Sequence, residues 1–246
     1  MKRKILLLTL FSFVSLFIIQ ALLIFLLFLF FEQKPDNNWT ILISNISFIF
    51  VIWFTLKLLD IKINLKFNLP KTKVLWYIIL LAVCFIFSYP FIAVFNFTSA
   101  ILDNILEFTK LNFLLDKTSI FYFFNIVFIT PILEELYYRK IILHQIEKQN
   151  NAFLAILISS VLFSVFHMDY TQCQLSFVFG LISGYLYFKT KKIEISIILH
   201  SLINLLTIIT ANSTLNFDKY YVVIVFYLTL VLFGIFLIKK IVTNAN

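Results

Sequence analysis

Charge is scarce in this sequence. Only 13% of its 246 residues are Asp, Glu, Lys or Arg, where a soluble domain carries roughly 25%, and 62% are hydrophobic. No water-facing surface can be assembled from such a composition. Cysteine is scarcer still. Cys84 lies inside an apolar run and Cys173 near the end of another, with no CxxC or Cys/His spacing. Neither a disulfide framework nor a zinc site follows, and both read as small core hydrophobes. There are 3 glycines, 4 prolines and no visible internal repeat. That speaks against a carrier, whose paired repeats usually bring Gly- or Pro-interrupted helices to the site.

What fills the sequence is apolar runs, with 32 Phe among them. A helix needs about 20 apolar residues to cross a hydrocarbon core of roughly 30 Å. Eight candidate spans answer to that: 5–31, 39–59, 74–98, 119–146, 152–168, 173–189, 193–211 and 219–238. The first follows Met1-Lys-Arg-Lys4, but its run exceeds the h-region of a signal peptide and no small-x-small cleavage site follows, so it is read as an uncleaved membrane helix. Basic residues alternate with the spans. Under the eight-span reading 16 of the 20 fall on one side, as at Lys57 to Lys73, Arg139 to Lys148 and Lys189 to Lys192. By the positive-inside rule that side is cytoplasmic and holds both termini. The net charge of +8 thus reports topology, since no clustered solvated face for nucleic acid is present. The expected fold is an all-α, polytopic integral membrane bundle of about eight transmembrane helices. Its longest polar stretches lie near 60–73 and 99–118.

Polar residues inside the spans are expensive and mark function. Glu134 and Glu135 occur in Phe128-Ile-Thr-Pro-Ile-Leu-Glu-Glu-Leu-Tyr-Tyr-Arg139, straight after an apolar run. At 100° per residue Glu135 and Arg139 share a face at i,i+4 and can pair, while Glu134 points away. A partly desolvated carboxylate beside a second one is a setting for a general base. The same segment also reads as the solvated end of a helix. Of 3 histidines, His167 and His200 lie within spans, and Asn204 follows His200 at i,i+4, so both could point donors into one cavity. From the assumed cytoplasmic ends, Glu134 is about 18 Å deep, His167 about 22 Å, His200 about 10 Å and Asn204 about 16 Å. His144, among basic residues, receives no role. Gly180 and Gly184 form a GxxxG packing motif. Pro131 is expected to bend or start a helix, and Pro90 to kink the third.

Three short motifs in order, Glu134-Glu135-x-x-x-Arg139, Phe163-x-x-x-His167 and His200-x-x-x-Asn204, resemble the CPBP family, the CAAX-protease and bacteriocin-processing or immunity group also called Abi proteins. The resemblance covers roughly 119–211. It organises the chain as 1–118 with helices 1–3, 119–211 as the catalytic core and 212–246 with the last helix. It implies intramembrane hydrolysis of a peptide bond. Glu134 and His167 would activate water, His200 and Asn204 would stabilise the oxyanion, and Glu135 with Arg139 would support them. One Glu and two His are also a conceivable zinc set, but HExxH is absent and the ligands would come from three helices, so no cofactor is favoured. Neither the GxGD of aspartyl types nor the GxSG of rhomboids occurs; Gly180-Leu-Ile-Ser183-Gly184 is not the latter.

The expected partners are membrane lipid and a membrane-associated peptide or protein, with no nucleic acid, in a bacterial inner or plasma membrane. A farnesylated CAAX protein, a bacteriocin leader and an unrelated membrane peptide all remain open as substrates. Two other readings compete: a non-catalytic immunity protein that binds a bacteriocin or its receptor, and a proton-coupled transporter.

Overall fold

The computed structural model of the protein describes residues 2–31, 37–61, 67–94, 120–148, 150–167, 170–210 and 220–246. Among them are eight helices and no strand. They are α1 (Lys2–Phe31), α2 (Asn37–Leu58), α3 (Thr72–Val94), α4 (Ile120–Glu147), α5 (Ala152–Val165), α6 (Tyr170–Thr190), α7 (Ile193–Thr210) and α8 (Tyr220–Ala245). The polar stretch expected near 99–118 lies outside the described residues, as does part of 60–73.

The protein is a helical membrane bundle. The helices expose what a soluble protein hides: along α1, Leu7, Phe11, Val14, Ile18, Leu22, Phe25 and Leu29 form a single exposed apolar stripe at steps of three and four. Such a stripe is the lipid-facing side of a helix. Among the described residues, α2, α4 and α8 are long and apolar enough to cross a membrane, and shorter apolar runs occur in α1, α3, α5 and α7. α5, with 14 residues, is about 21 Å long, well short of a roughly 30 Å core.

Two compact units divide the helices. The first comprises α1, α2, α4 and α5 as far as Leu162. Here α2 packs along α4 and α1 packs on α2. Phe48 of α2 turns its ring edge towards Tyr137 and Tyr138 of α4, at centroid distances of 6.0 and 6.5 Å. Further along, Asn45 donates to Asn125 across the two helices at 2.6 Å, with both side chains buried. Asn125 also donates to the carbonyl of Phe121 at 2.8 Å.

α4 is not a regular α-helix. It widens into π-helical turns at Asn125–Ile129 and again at Leu136–Leu143, leaving an α-helical stretch of six residues, Thr130–Glu135, between them. Pro131 therefore neither starts nor ends the helix, which begins eleven residues earlier at Ile120. A proline inside a helix lacks the N–H and crowds the preceding turn. The π turn before it relaxes that turn: Thr130 reaches back five residues to the carbonyl of Asn125.

The second unit comprises α3, α5 from Phe163, α6, α7 and α8. α3 packs against α8 and α7, and α6 against α7. Only Lys191 and Lys192 separate α6 from α7. Lys191 takes a left-handed φ of 55°, a position usually filled by glycine, and its backbone N–H caps the helix by donating to the carbonyl of Tyr187 at 2.7 Å. Lys192 donates through Nζ to the carbonyl of Ala245, so the α6–α7 turn and the end of α8 occupy one end of this unit. Gly180, Ser183 and Gly184 of α6 are buried, and Ser196 of α7 donates to the Ser183 carbonyl at 3.4 Å. α3 continues through Pro90 to Val94.

In lipid, an interhelical bond between side-chain amides contributes roughly 0.6–2 kcal/mol. Asn45→Ala and Asn125→Ala should each lower stability by about that amount, and the double variant by less than the sum. Equilibrium unfolding in detergent micelles checks this; strict additivity would remove the coupling.

Candidate active site

Ionisable side chains in the first unit gather on α4. Arg139 donates through Nε to the Glu135 carboxylate at 3.0 Å, with both side chains at 0% exposure. The i,i+4 spacing brings them onto one face. Glu134, 5% exposed, precedes this pair by one residue and belongs to a different face of the helix. One turn on from Glu134 is Tyr138, also fully buried and close enough to the carboxylate to interact with it electrostatically. From Tyr137 to Ile146 nearly every side chain is buried, including Ile141, Ile142, Leu143 and Gln145. This end of α4 is therefore enclosed by protein rather than presented to solvent as a frayed helix end.

Two of the three histidines, His167 and His200, gather in the second unit. α5 ends at Val165, and Phe166 and His167 form the turn after it. His167 Nδ1 lies 3.0 Å from the Phe163 carbonyl. A carbonyl can only accept, so Nδ1 carries the hydrogen at this contact. The Phe163 ring, 1% exposed, packs between the two imidazoles, 4.9 Å from His167 and 5.8 Å from His200 by centroids. Phe179 of α6 meets His200 at 4.7 Å and Phe163 at 5.8 Å, and Phe85 of α3 backs Phe179 at 6.1 Å. His200 is buried, and half-buried Asn204 follows it one turn along α7. An aromatic cluster thus fixes both rings edge to face.

The structure brings Glu134, Glu135 and Arg139 together on one helix, and His167 with His200 around one phenylalanine. Composition and motif spacing pointed to these residues, but not to Phe179, Phe85 or Tyr138. His144 pairs with Glu147 at 3.8 Å near the end of α4. A zinc ion would need at least three converging ligands. Among the described residues, no three His, Cys, Asp or Glu side chains gather in that way.

Comparison with known proteins shows what this segment is similar to. Residues 116–206 match the family described as Type II CAAX prenyl endopeptidase Rce1-like. A stretch of 79 residues is 39% identical to the Bacillus subtilis (strain 168) protein named "Putative membrane peptidase YdiL", covering 32% of this chain. The aligned stretch spans 32% of that relative's length. No solved structure matches. The segment that carries Glu134, His167, His200 and Asn204 is thus similar to the CAAX prenyl endopeptidase family.

Removing one member of a sealed ion pair strands the other charge, at a cost of roughly 3–5 kcal/mol. Arg139→Ala or Glu135→Ala should accordingly deplete folded protein, whereas Glu135→Leu combined with Arg139→Leu should recover much of the loss. The folded fraction after detergent extraction checks this; a double variant as unstable as the worse single one would show that the charges themselves are needed.

Proposed function

We propose that the protein is an intramembrane endopeptidase that hydrolyses a peptide bond of a membrane-associated peptide or protein. The observation that carries this reading is Glu134: a carboxylate at 5% exposure inside a membrane helix, within the stretch that matches a prenyl endopeptidase family. An ionised carboxylate at such depth costs at least about 2.5–3.5 kcal/mol on insertion scales, so it is retained for what it does.

In the proposed reaction Glu134 and His167 activate a water, His167 taking up the proton through Nε2. The hydroxide attacks the substrate carbonyl carbon, and His200 and Asn204 donate hydrogen bonds to the oxyanion that forms. The proton then passes to the leaving amine as the C–N bond breaks. No metal takes part. Glu135 and Arg139 keep α4 in register beneath the base. The protein works in a bacterial cell membrane with both termini in the cytoplasm. Its substrate class is a CAAX-type membrane peptide, with bacteriocin processing or self-immunity as the biological setting to be tested.

Glu134→Ala and His167→Ala, each inserted normally in the membrane, should lower cleavage of a farnesylated CAAX peptide or an unprenylated membrane peptide by about 10²–10⁴-fold, the usual contribution of a positioned acid or base. His200→Ala and Asn204→Ala should each lose roughly 10²–10³-fold, as when an oxyanion donor is removed. Immunity that persists in the Glu134 and His167 variants would favour a binding protein instead. Cleavage should also survive exhaustive chelation; loss of activity together with a stoichiometric, tightly bound zinc would overturn the metal-free reaction.

A further inference from the structure

The end of α5 is closed by a reciprocal pair of hydrogen bonds that the proposed reaction does not use. Ser164 is in the last turn of α5 and Cys173 in the first turn of α6. Ser164 donates through Oγ to the Cys173 carbonyl at 2.8 Å, and the Cys173 thiol donates back to the Ser164 carbonyl at 3.1 Å. Ser164 is buried. Both cysteines of the chain are free thiols.

The last four carbonyls of any helix lack intrahelical partners, and in an apolar surrounding they have to find others. Two of those at the end of α5 are accounted for around a single residue. The Phe163 carbonyl accepts from His167 Nδ1, and the Ser164 carbonyl accepts from the His167 backbone N–H at 3.0 Å. The second lone pair of Ser164 is taken by the Cys173 thiol. Backbone and ring of His167 are thus tied to two adjacent carbonyls, and one of those carbonyls is in turn tied to α6.

We propose that the Ser164–Cys173 clasp is a positioning device for His167. It closes the α5–α6 junction so that the turn holds the imidazole as a single tautomer, with the hydrogen on Nδ1. Cys173 contributes as a hydrogen-bond donor, not as a nucleophile. That the clasp serves catalysis rests on the proteolytic reading; that it fixes the imidazole does not.

Two readouts separate those statements. The full chain, labelled with ¹⁵N-histidine in detergent micelles, contains only three imidazoles, and His167 is assigned by the signal lost in His167→Ala. The unsubstituted protein should show the Nδ1–H tautomer for His167. Cys173→Ala should shift that signal towards exchange between tautomers and lower kcat for the farnesylated CAAX peptide by on the order of 10- to 100-fold, with KM nearly constant, as expected for a displaced reacting group. Cys173→Ser, which restores a donor, should recover most of both. Ser164→Ala removes the other half of the clasp and serves if Cys173→Ala does not fold.

An unchanged His167 signal in Cys173→Ala or Ser164→Ala overturns the proposal, whatever happens to kcat. So does a Cys173→Ser variant as impaired as the alanine. A signal that moves as expected in a protein that cleaves neither peptide leaves the clasp standing and removes the proteolytic reading.

Discussion

A guanidinium sealed inside a membrane helix must be neutralised where it stands, and the rest of the first unit follows from how that is done. Arg139 and Glu135 are both at 0% exposure and 3.0 Å apart. Their mutual attraction in so dry a place has to offset the loss of two hydration shells, which calls for close geometry. Hence the protein envelops this stretch of α4, with Phe48, Tyr137 and Tyr138 packed edge to face. With Glu135 engaged by the arginine, the chain keeps a second carboxylate, Glu134, in the same enclosure on another face.

The irregularity of α4 belongs to the same constraint. Asn125, Pro131 and Arg139 each ask something of the backbone that a uniform α-helix gives poorly. π turns on either side of Thr130–Glu135 widen the helix while leaving the two glutamates in regular α geometry. The Asn45–Asn125 bond fastens the upper π turn to α2. π turns often accompany functional sites, because they shift register without interrupting the hydrogen-bonded ladder. Here the register change brackets the six residues in which the glutamates lie.

Local features were legible in the sequence. Apolar runs gave the positions of the eight helices, and the four-residue spacing of Glu135 and Arg139 gave their pairing, because both depend only on neighbours along one helix. Pro131 could be read only as a bend or a start, since nothing in a one-dimensional pattern announces a π turn. Cys173 read as an inert hydrophobe because its partner is nine residues away across a helix junction. The Asn45–Asn125 tie, 80 residues apart, left no periodic trace at all. The length of α5 was overestimated in the same way: 152–168 is predominantly apolar, but the helix stops at Val165. Hydrophobicity says what a residue dissolves in, not where its backbone turns.

That early stop bears on the chemistry. Irregular backbone within a membrane is tolerated only where protein or water satisfies it, and here the turn after Val165 is satisfied by His167 itself and by Cys173. Had α5 run on as a regular helix, the Phe163 carbonyl would take the His167 backbone N–H in its own ladder. By ending early, α5 leaves the Phe163 carbonyl to accept from Nδ1, and this one bond fixes which ring nitrogen carries the hydrogen. The short helix is therefore the means by which an apolar segment orients an imidazole, a role that its composition alone would never indicate.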